Sequence, residues 1–198
     1  MSGGADSVAL LVLMSELRKE HGFEAVVLHF DHGIRKDSAD DAEFVRRLAK
    51  RFGLPFHSAR VKVVRKKGES IEMAARRERL AFFAESMKRL RLDCIATGHH
   101  MDDVAETFLM KLRRASLSGI KEVSQVGKIR FVRPLLGCRD RELKNYLIKF
   151  GEEWREDASN DDTSIERNKV RHEIIPYLEK MLDRKLVEHI FKINGFSR

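Results

Sequence analysis

Ser2-Gly3-Gly4-Ala5-Asp6-Ser7 is followed at once by an apolar pattern of helical period. Two glycines let the backbone curl until successive amides point at one anion. Ser2 and Ser7 add hydroxyl donors, and a helix beginning near Asp6 adds its positive end. Together they suit a phosphate. The loop is not a Walker A motif, because GxxxxGK[ST] is absent. A plain Gly-rich turn with a Ser or Asp cap is the alternative, and the helix directly behind the glycines favours phosphate.

Acids come next. Thr97-Gly98-His99-His100-Met101-Asp102-Asp103-Val104-Ala105-Glu106-Thr107 puts three carboxylates near the start of a helix opening at about Met101. Asp102 and Glu106 are i,i+4 and Asp103 and Glu106 are i,i+3, so they share a side. The helix dipole tolerates them there. They suit Mg2+ or a cationic amine. Ligand type alone also leaves zinc open, although adjacent histidines point apart on a strand and HExxH spacing is missing. His29-Phe30-Asp31-His32-Gly33-Ile34-Arg35 offers Asp31 for Mg2+ or a substrate proton and Arg35 for a phosphate. A polar turn with Gly33 at positive φ reads the same residues more plainly. Arg76 and Arg79 lie on one helix face and suit phosphate, carboxylate or RNA, whereas Arg77 reads as solvated. Asp157, Ser159 and Asn160 read as turn formers, and Arg167 and Arg171, i,i+4, form a basic ridge ahead of Pro176.

Alternating elements must position these groups. Apolar periodicity predicts a helix from about Val8 to Gly22, a strand over 25–30, a helix over 38–52 closed by Gly53, and a strand over 55–64. A long helix follows from Ser70 to about Leu90, then a strand over 92–97 and a helix over 101–114. A strand over 129–132, a helix over 139–150 and a helical block over 165–182 complete the chain. This order predicts an α/β fold, a doubly wound and mostly parallel sheet, with ligands at the carboxyl ends of the strands. There are no internal repeats and no low-complexity linker.

Composition narrows the partners. The 198 residues carry 39 basic and 31 acidic side chains, a formal net charge of +8. Both signs are abundant, so the excess points to a folded protein with a polyanionic partner, or to a Lys/Glu-rich surface. No apolar run approaches the ~20 residues of a membrane span, and no secretory signal or membrane partner is expected. Cys94 and Cys138 stand far apart without a CxxC, which excludes a disulfide scaffold or an all-Cys metal site within this chain and fits a reducing cytoplasm.

The motifs in this order resemble the tRNA(Ile)-lysidine synthetases of the PP-loop (N-type ATP pyrophosphatase) superfamily. The matching stretches are SGGADS, HFDHGIR, AARRER, TGHHMDDVAET, RPLL at 133–136, and WREDASNDD with RNKVR and a following Pro. The resemblance implies an adenine nucleotide alpha hydrolase-like, Rossmann-like fold and an ATP-dependent carbon–nitrogen ligase in the cytoplasm. ATP would adenylate the C2 oxygen of the wobble cytidine in tRNA(Ile) with a CAU anticodon, releasing pyrophosphate. Free L-lysine would then displace AMP to give lysidine. By matching position, Ser2, Gly3, Gly4, Ala5, Asp6 and Ser7 would hold the pyrophosphate part of ATP. Asp31 and Asp103 would hold Mg2+ at the adenylation centre, Asp103, Glu106 and Arg79 would hold lysine, and Arg167 and Arg171 would activate or grip the RNA.

Leu80 and the Arg114-Ala115-Ser116 stretch depart from the family's usual Tyr and RGS. A PP-loop tRNA thiolase and a non-catalytic RNA-binding relic are the alternatives, and a homodimer stays open. Residues 1–180 are expected to form the catalytic domain, and 181–198 the start of a linker helix or a truncated C-terminal region. The strand expected ahead of SGGxDS is missing from these residues, so an upstream extension, or a poorly folding fragment, is expected.

Overall fold

The computed structural model describes residues 1–33, 38–112, 115, 119–156, 161–182 and 184–196. Helix α1, Ala5–His21, opens at Gly4 and ends on Gly22, whose φ of 68° fits the left-handed closing position. Five consecutive residues, Val8 to Val12, are buried, so its first half is apolar on nearly every side and belongs in the interior. Strand β1 (Val27–Asp31) pairs in parallel with β2 (Phe56–Arg60), and α2 (Ser38–Arg51) crosses between them. Helix α3, Ile71–Leu90, is capped by Ser70, whose side chain accepts the Met73 N–H at 3.1 Å.

Strand β3 (Ile95–Ala96) is followed by α4 (Met101–Leu112) and by a hairpin of β4 (Val123–Val126) and β5 (Ile129–Val132). Helix α5 is Asp140–Lys149. The expected C-terminal helical block is three pieces: α6 (Glu166–Lys169), a π-helical turn (Val170–Ile174) and α7 (Ile175–Met181). Helix α8, Leu186–Ile193, comes last.

The strands form two groups, β1–β2 and β3–β5–β4. β3 and β5 run parallel, β4 and β5 antiparallel. Met1 lies beside β1. Its amine donates to the Leu28 carbonyl, and its own carbonyl bonds His29 Nδ1 at 2.9 Å.

Alternating strand residues feed opposite layers. Val27 joins Val8, Val12, Val45, Ala49 and Leu147 under α1, α2 and α5, whereas Leu28 joins Ile95, Phe131 and the α3 side chains Leu80 and Phe83. A third cluster packs Met101, Val104, Val170, Ile175, Ile190 and Phe191, holding α7 and α8 to α4. Each large apolar side chain buried in these layers contributes about 1.5–3 kcal/mol. The carboxyl ends of β1, β2 and β3 thus open toward one rim, with the start of α1 among them.

Candidate active site

The glycine loop is curled as its residue types require. Gly3 has φ 96°, which a side chain rarely adopts. Its N–H donates to Ser7 Oγ at 3.0 Å, the Gly4 N–H to Ser2 Oγ at 3.3 Å, and Ser7 Oγ–H to the Gly4 carbonyl at 2.9 Å. The two serine hydroxyls thus hold the amides that an anion would claim at the positive end of α1. Arg155 closes over the loop, its N–H donating to the Gly3 carbonyl at 2.9 Å. The Trp154-Arg155 stretch is therefore brought to the cradle, while Asp157, Ser159 and Asn160 lie outside the described residues, as do Arg35, Arg114 and Ser116. The cradle fits a pyrophosphate: it offers fixed amides, two hydroxyls and a helix start.

The second loop touches the first. Gly98 sits so close to Asp6 that a Cβ there would lie 2.8 Å from the Asp6 carbonyl oxygen, so only glycine fits. His100, 1% exposed, follows it. Its ring faces Asp6 Oδ1 at 3.6 Å, Asp102 Oδ2 at 3.5 Å and Asp103 Oδ2 at 3.7 Å. Burial opposes a charge on this ring, but the Asp102 and Asp6 carboxylates, with Asp103 beside them, outweigh burial and push its pKa up to about 10. Asp102 answers it: burial would raise its pKa, yet His100, the Asp140 N–H and Arg139 hold it near about 2. His99 takes the opposite course, since burial lowers its pKa, and its Nδ1 bonds Thr97 Oγ1 at 2.9 Å.

The three helix-start acids divide their work. Asp102 bonds Arg139 Nε at 3.0 Å and the Asp140 N–H at 2.8 Å, a structural pin. Arg139 also reaches Glu188 at 2.7 Å and Glu179 at 3.6 Å, fastening α7 and α8 to the start of α4. Asp103 and Glu106 instead meet the basic ridge. Glu106, fully buried, receives Arg167 Nε at 2.7 Å on one oxygen and Arg171 Nε at 2.5 Å on the other. Asp103 receives Arg167 at 2.5 Å, with Arg171 at 3.6 Å, and its other oxygen accepts the His100 N–H at 2.9 Å. Two carboxylates and two guanidiniums close a neutral four-charge group. Its arginines are brought onto one side by α6 and the π-helical turn.

Four of the expected catalytic residues, Asp103, Glu106, Arg167 and Arg171, are thus joined directly. Asp31 stands apart at the end of β1, where it accepts the Gly33 N–H at 2.8 Å and faces Arg60 Nε at 3.2 Å. Arg79 makes no hydrogen bond or ion pair among the described residues. It stands near the Met1 amine, whose pKa burial, chiefly, and the Arg79 charge lower to about 5.

For a metal, one group of possible ligands among the described residues has its atoms within 4.8 Å: Asp6, His100 and Asp140. Its carboxylates suit Mg2+, but an imidazolium does not ligate, and Mg2+ takes oxygen donors. Neither Asp31 nor Asp103 belongs to that group, although the Asp31 carboxylate at a strand end is an oxygen donor of the kind Mg2+ takes. Arg139 and Arg60 went unread in the sequence, and His100 was weighed there only as a zinc ligand, not as a cation among acids. Adjacency of His100 to the acids was the one signal available for it; Arg139 and Arg60 carry none beyond their charge.

Fold and site together define a nucleotide-binding α/β domain whose phosphate cradle borders a cluster of paired charges. The chain belongs to the PP-loop domain family, whose model matches residues 1–178. It is 43% identical over 185 residues to the tRNA(Ile)-lysidine synthase of Thermus thermophilus, covering 91% of this chain and 35% of that protein. The synthase of Solibacter usitatus is 40% identical over 203 residues, covering 100% and 44%. That of Petrotoga mobilis is 36% identical over 191 residues, covering 93% and 60%. The chain therefore spans roughly a third to three fifths of the length of these relatives. Among solved structures, the U34-tRNA thiolase NcsA from Methanococcus maripaludis with its [4Fe-4S] cluster superposes with a TM-score of 0.73, covering 100% of this chain and 71% of that one. At 15% identity that likeness shows the fold.

Proposed function

We propose that residues 1–180 form the catalytic domain of a tRNA(Ile)-lysidine synthase, with 181–198 beginning the connection to the further length its relatives have. The observation that carries this reading is the pair of carboxylates, Asp103 and Glu106, occupied by two arginine side chains beside the phosphate cradle. A buried acid pair that holds guanidiniums is a site for cations, and it becomes a receptor for an ammonium group once the arginines swing away. Identity of 36–43% to proteins named for lysidine synthesis supports the same chemistry.

In the first step, the C2 oxygen of the wobble cytidine attacks the α-phosphate of ATP, and pyrophosphate leaves. The Gly3 and Gly4 amides turn from the serine hydroxyls to the leaving oxygens, and the start of α1 absorbs the developing charge. Asp31 would hold Mg2+, which supplies charge neutralisation at the phosphates. In the second step, lysine brings one ammonium group to Asp103 and Glu106, displacing Arg167 and Arg171, and its carboxylate to the unpaired Arg79. Its other amine, having lost a proton to solvent, forms the C2–N bond, and the C2–O bond to the adenylate breaks as AMP leaves. The two released arginines then face phosphate rather than carboxylate. A single-stranded anticodon base can be splayed into such a site.

The test is nucleoside analysis of tRNA(Ile) after incubation of the full-length protein with ATP, Mg2+ and lysine. Lysidine at the wobble position, dependent on all three, is the expected product. Its absence, with ATP–pyrophosphate exchange intact, would return the chain to the wider PP-loop group. The thiolase alternative gains no support here, because the one candidate ligating group among the described residues contains no cysteine.

A further inference from the structure

A basic strip leaves the same rim and, beyond Arg60 at its start, takes no part in the chemistry above. From Arg60 to Lys67 the sequence RVKVVRKK holds five cations and no acid. The strip begins where β2 ends, and the Val61 N–H donates to the Asp31 carbonyl at 3.0 Å, so it starts beside the residue proposed to hold Mg2+. Lys62, Arg65, Lys66 and Lys67 are all exposed. The side chains of Lys62, Lys66 and Lys67 have no hydrogen bond or ion pair among the described residues, nor does that of Arg76 on the following helix. The first acid after the strip, Glu69, is already taken: Arg77 holds both its oxygens at 3.1 Å, and the Lys66 N–H donates to it at 3.0 Å.

The strip is also held in shape. Arg77 donates to the Val64 carbonyl at 3.0 Å and Arg65 to the Glu69 carbonyl at 2.9 Å. Both bonds fasten the second half of the strip, from Val64 onward. Between the cations stand exposed apolar side chains, Val64 at 67%, Ile71 at 48% and Met73 at 61%. Unpaired cations on a loop held by Arg65 and Arg77, spaced by apolar side chains, match a nucleic-acid backbone, with phosphates on the charges and sugars against the aliphatic groups.

We infer that this strip, residues 60–67 continued by Arg76, seats the phosphate backbone of the RNA whose base enters the site, an inference that rests on the functional reading above. The strip lies outside the cradle and the four-charge group, so it contributes affinity and register rather than chemistry. An acidic protein surface is the competing partner.

The full-length protein and its Lys62→Ala/Lys66→Ala/Lys67→Ala variant are compared for KM toward tRNA across a range of salt concentrations. Losing three phosphate contacts should raise the tRNA KM about tenfold or more at physiological salt and lower the slope of log KM against log salt by about 2. KM for ATP and kcat at saturating tRNA should stay within about twofold, and Lys→Arg at the same positions should restore the slope. An unchanged slope overturns the inference, whether or not KM moves. If neither protein makes lysidine, the functional reading has failed, and the salt slope of direct tRNA binding then decides this one by the same criterion.

Discussion

Glu106 has no exposed surface and carries two guanidiniums, Arg167 at 42% and Arg171 at 35% side-chain exposure. Glu106→Gln keeps shape and removes charge. Both arginines can rehydrate, so the loss should be about 1–3 kcal/mol, below the cost of a fully buried broken pair; urea unfolding measures it. Asp103→Asn keeps an acceptor for the His100 N–H and leaves Arg167 on Glu106 alone, and turnover should fall by about 10² or more with little change in the unfolding midpoint. Near-normal turnover would reduce Asp103 to a capping role. If Arg79 receives the lysine carboxylate, cadaverine should be a poor substrate, because it leaves that guanidinium unanswered; equal use of both amines would remove Arg79 from the site.

His100 sets the pH dependence. Its folded pKa of about 10 lies above the usual 6.5, so the stability it contributes is complete below pH 6.5 and is lost as pH rises through 10. Asp102 has the reverse sign: its contribution is complete above 3.8 and is lost as pH falls through about 2. The melting temperature should therefore decline from neutral toward pH 10, and His100→Gln should flatten that limb. These residue types were legible in the sequence because acids at i,i+3 on a helix start must share a face. Their division was not, since Asp102 and Asp103 are neighbours, and only the positions of Arg139 and Arg167, far along the chain, tell them apart.

Helices were the easier elements to read, because 3.6-residue periodicity survives over ten or more positions. The caps at Gly22, Gly53 and Ser70 fall where residue type predicts. Strand β4 escaped notice because Val123 and Val126 are exposed and its four residues show no buried face. The strand expected over 92–97 shrinks to Ile95–Ala96, the two residues paired with β5. The π-helical turn was illegible too. Its Ile175 N–H bonds Val170 O, five residues back, just before Pro176, whose ring crowds the carbonyl four residues earlier. That turn sets Arg171 against Glu106 while Ile175 still reaches the core. Pro176→Ala should let the segment tighten to α geometry, raising KM for lysine without lowering the melting temperature; unchanged lysine kinetics would separate the proline from the site.

At the scale of the molecule, Arg139 does what no single layer can. It is 8% exposed and ties the start of α4 to α7 and α8 through Asp102, Glu179 and Glu188. Arg139→Met would leave three acids facing one another, and their partial exposure sets the cost at about 2–4 kcal/mol. Chemical denaturation should show the loss, with α8 losing amide protection first. No helix among the described residues is long and apolar enough to cross a membrane. The parallel pairing and alternating order of the fold followed from the sequence; the separation of β1–β2 from β3–β5–β4 did not, because strand neighbours are a tertiary fact that no local pattern states.

The contact between Gly98 and Asp6 has a thermodynamic consequence. With 2.8 Å between a would-be Cβ and the Asp6 carbonyl, the nucleotide loop and the amine loop share a wall with no slack. A ligand that shifts one shifts the other, which makes the two sites energetically linked. Linkage is reciprocal: whatever factor ATP adds to the affinity for lysine, lysine must add to the affinity for ATP.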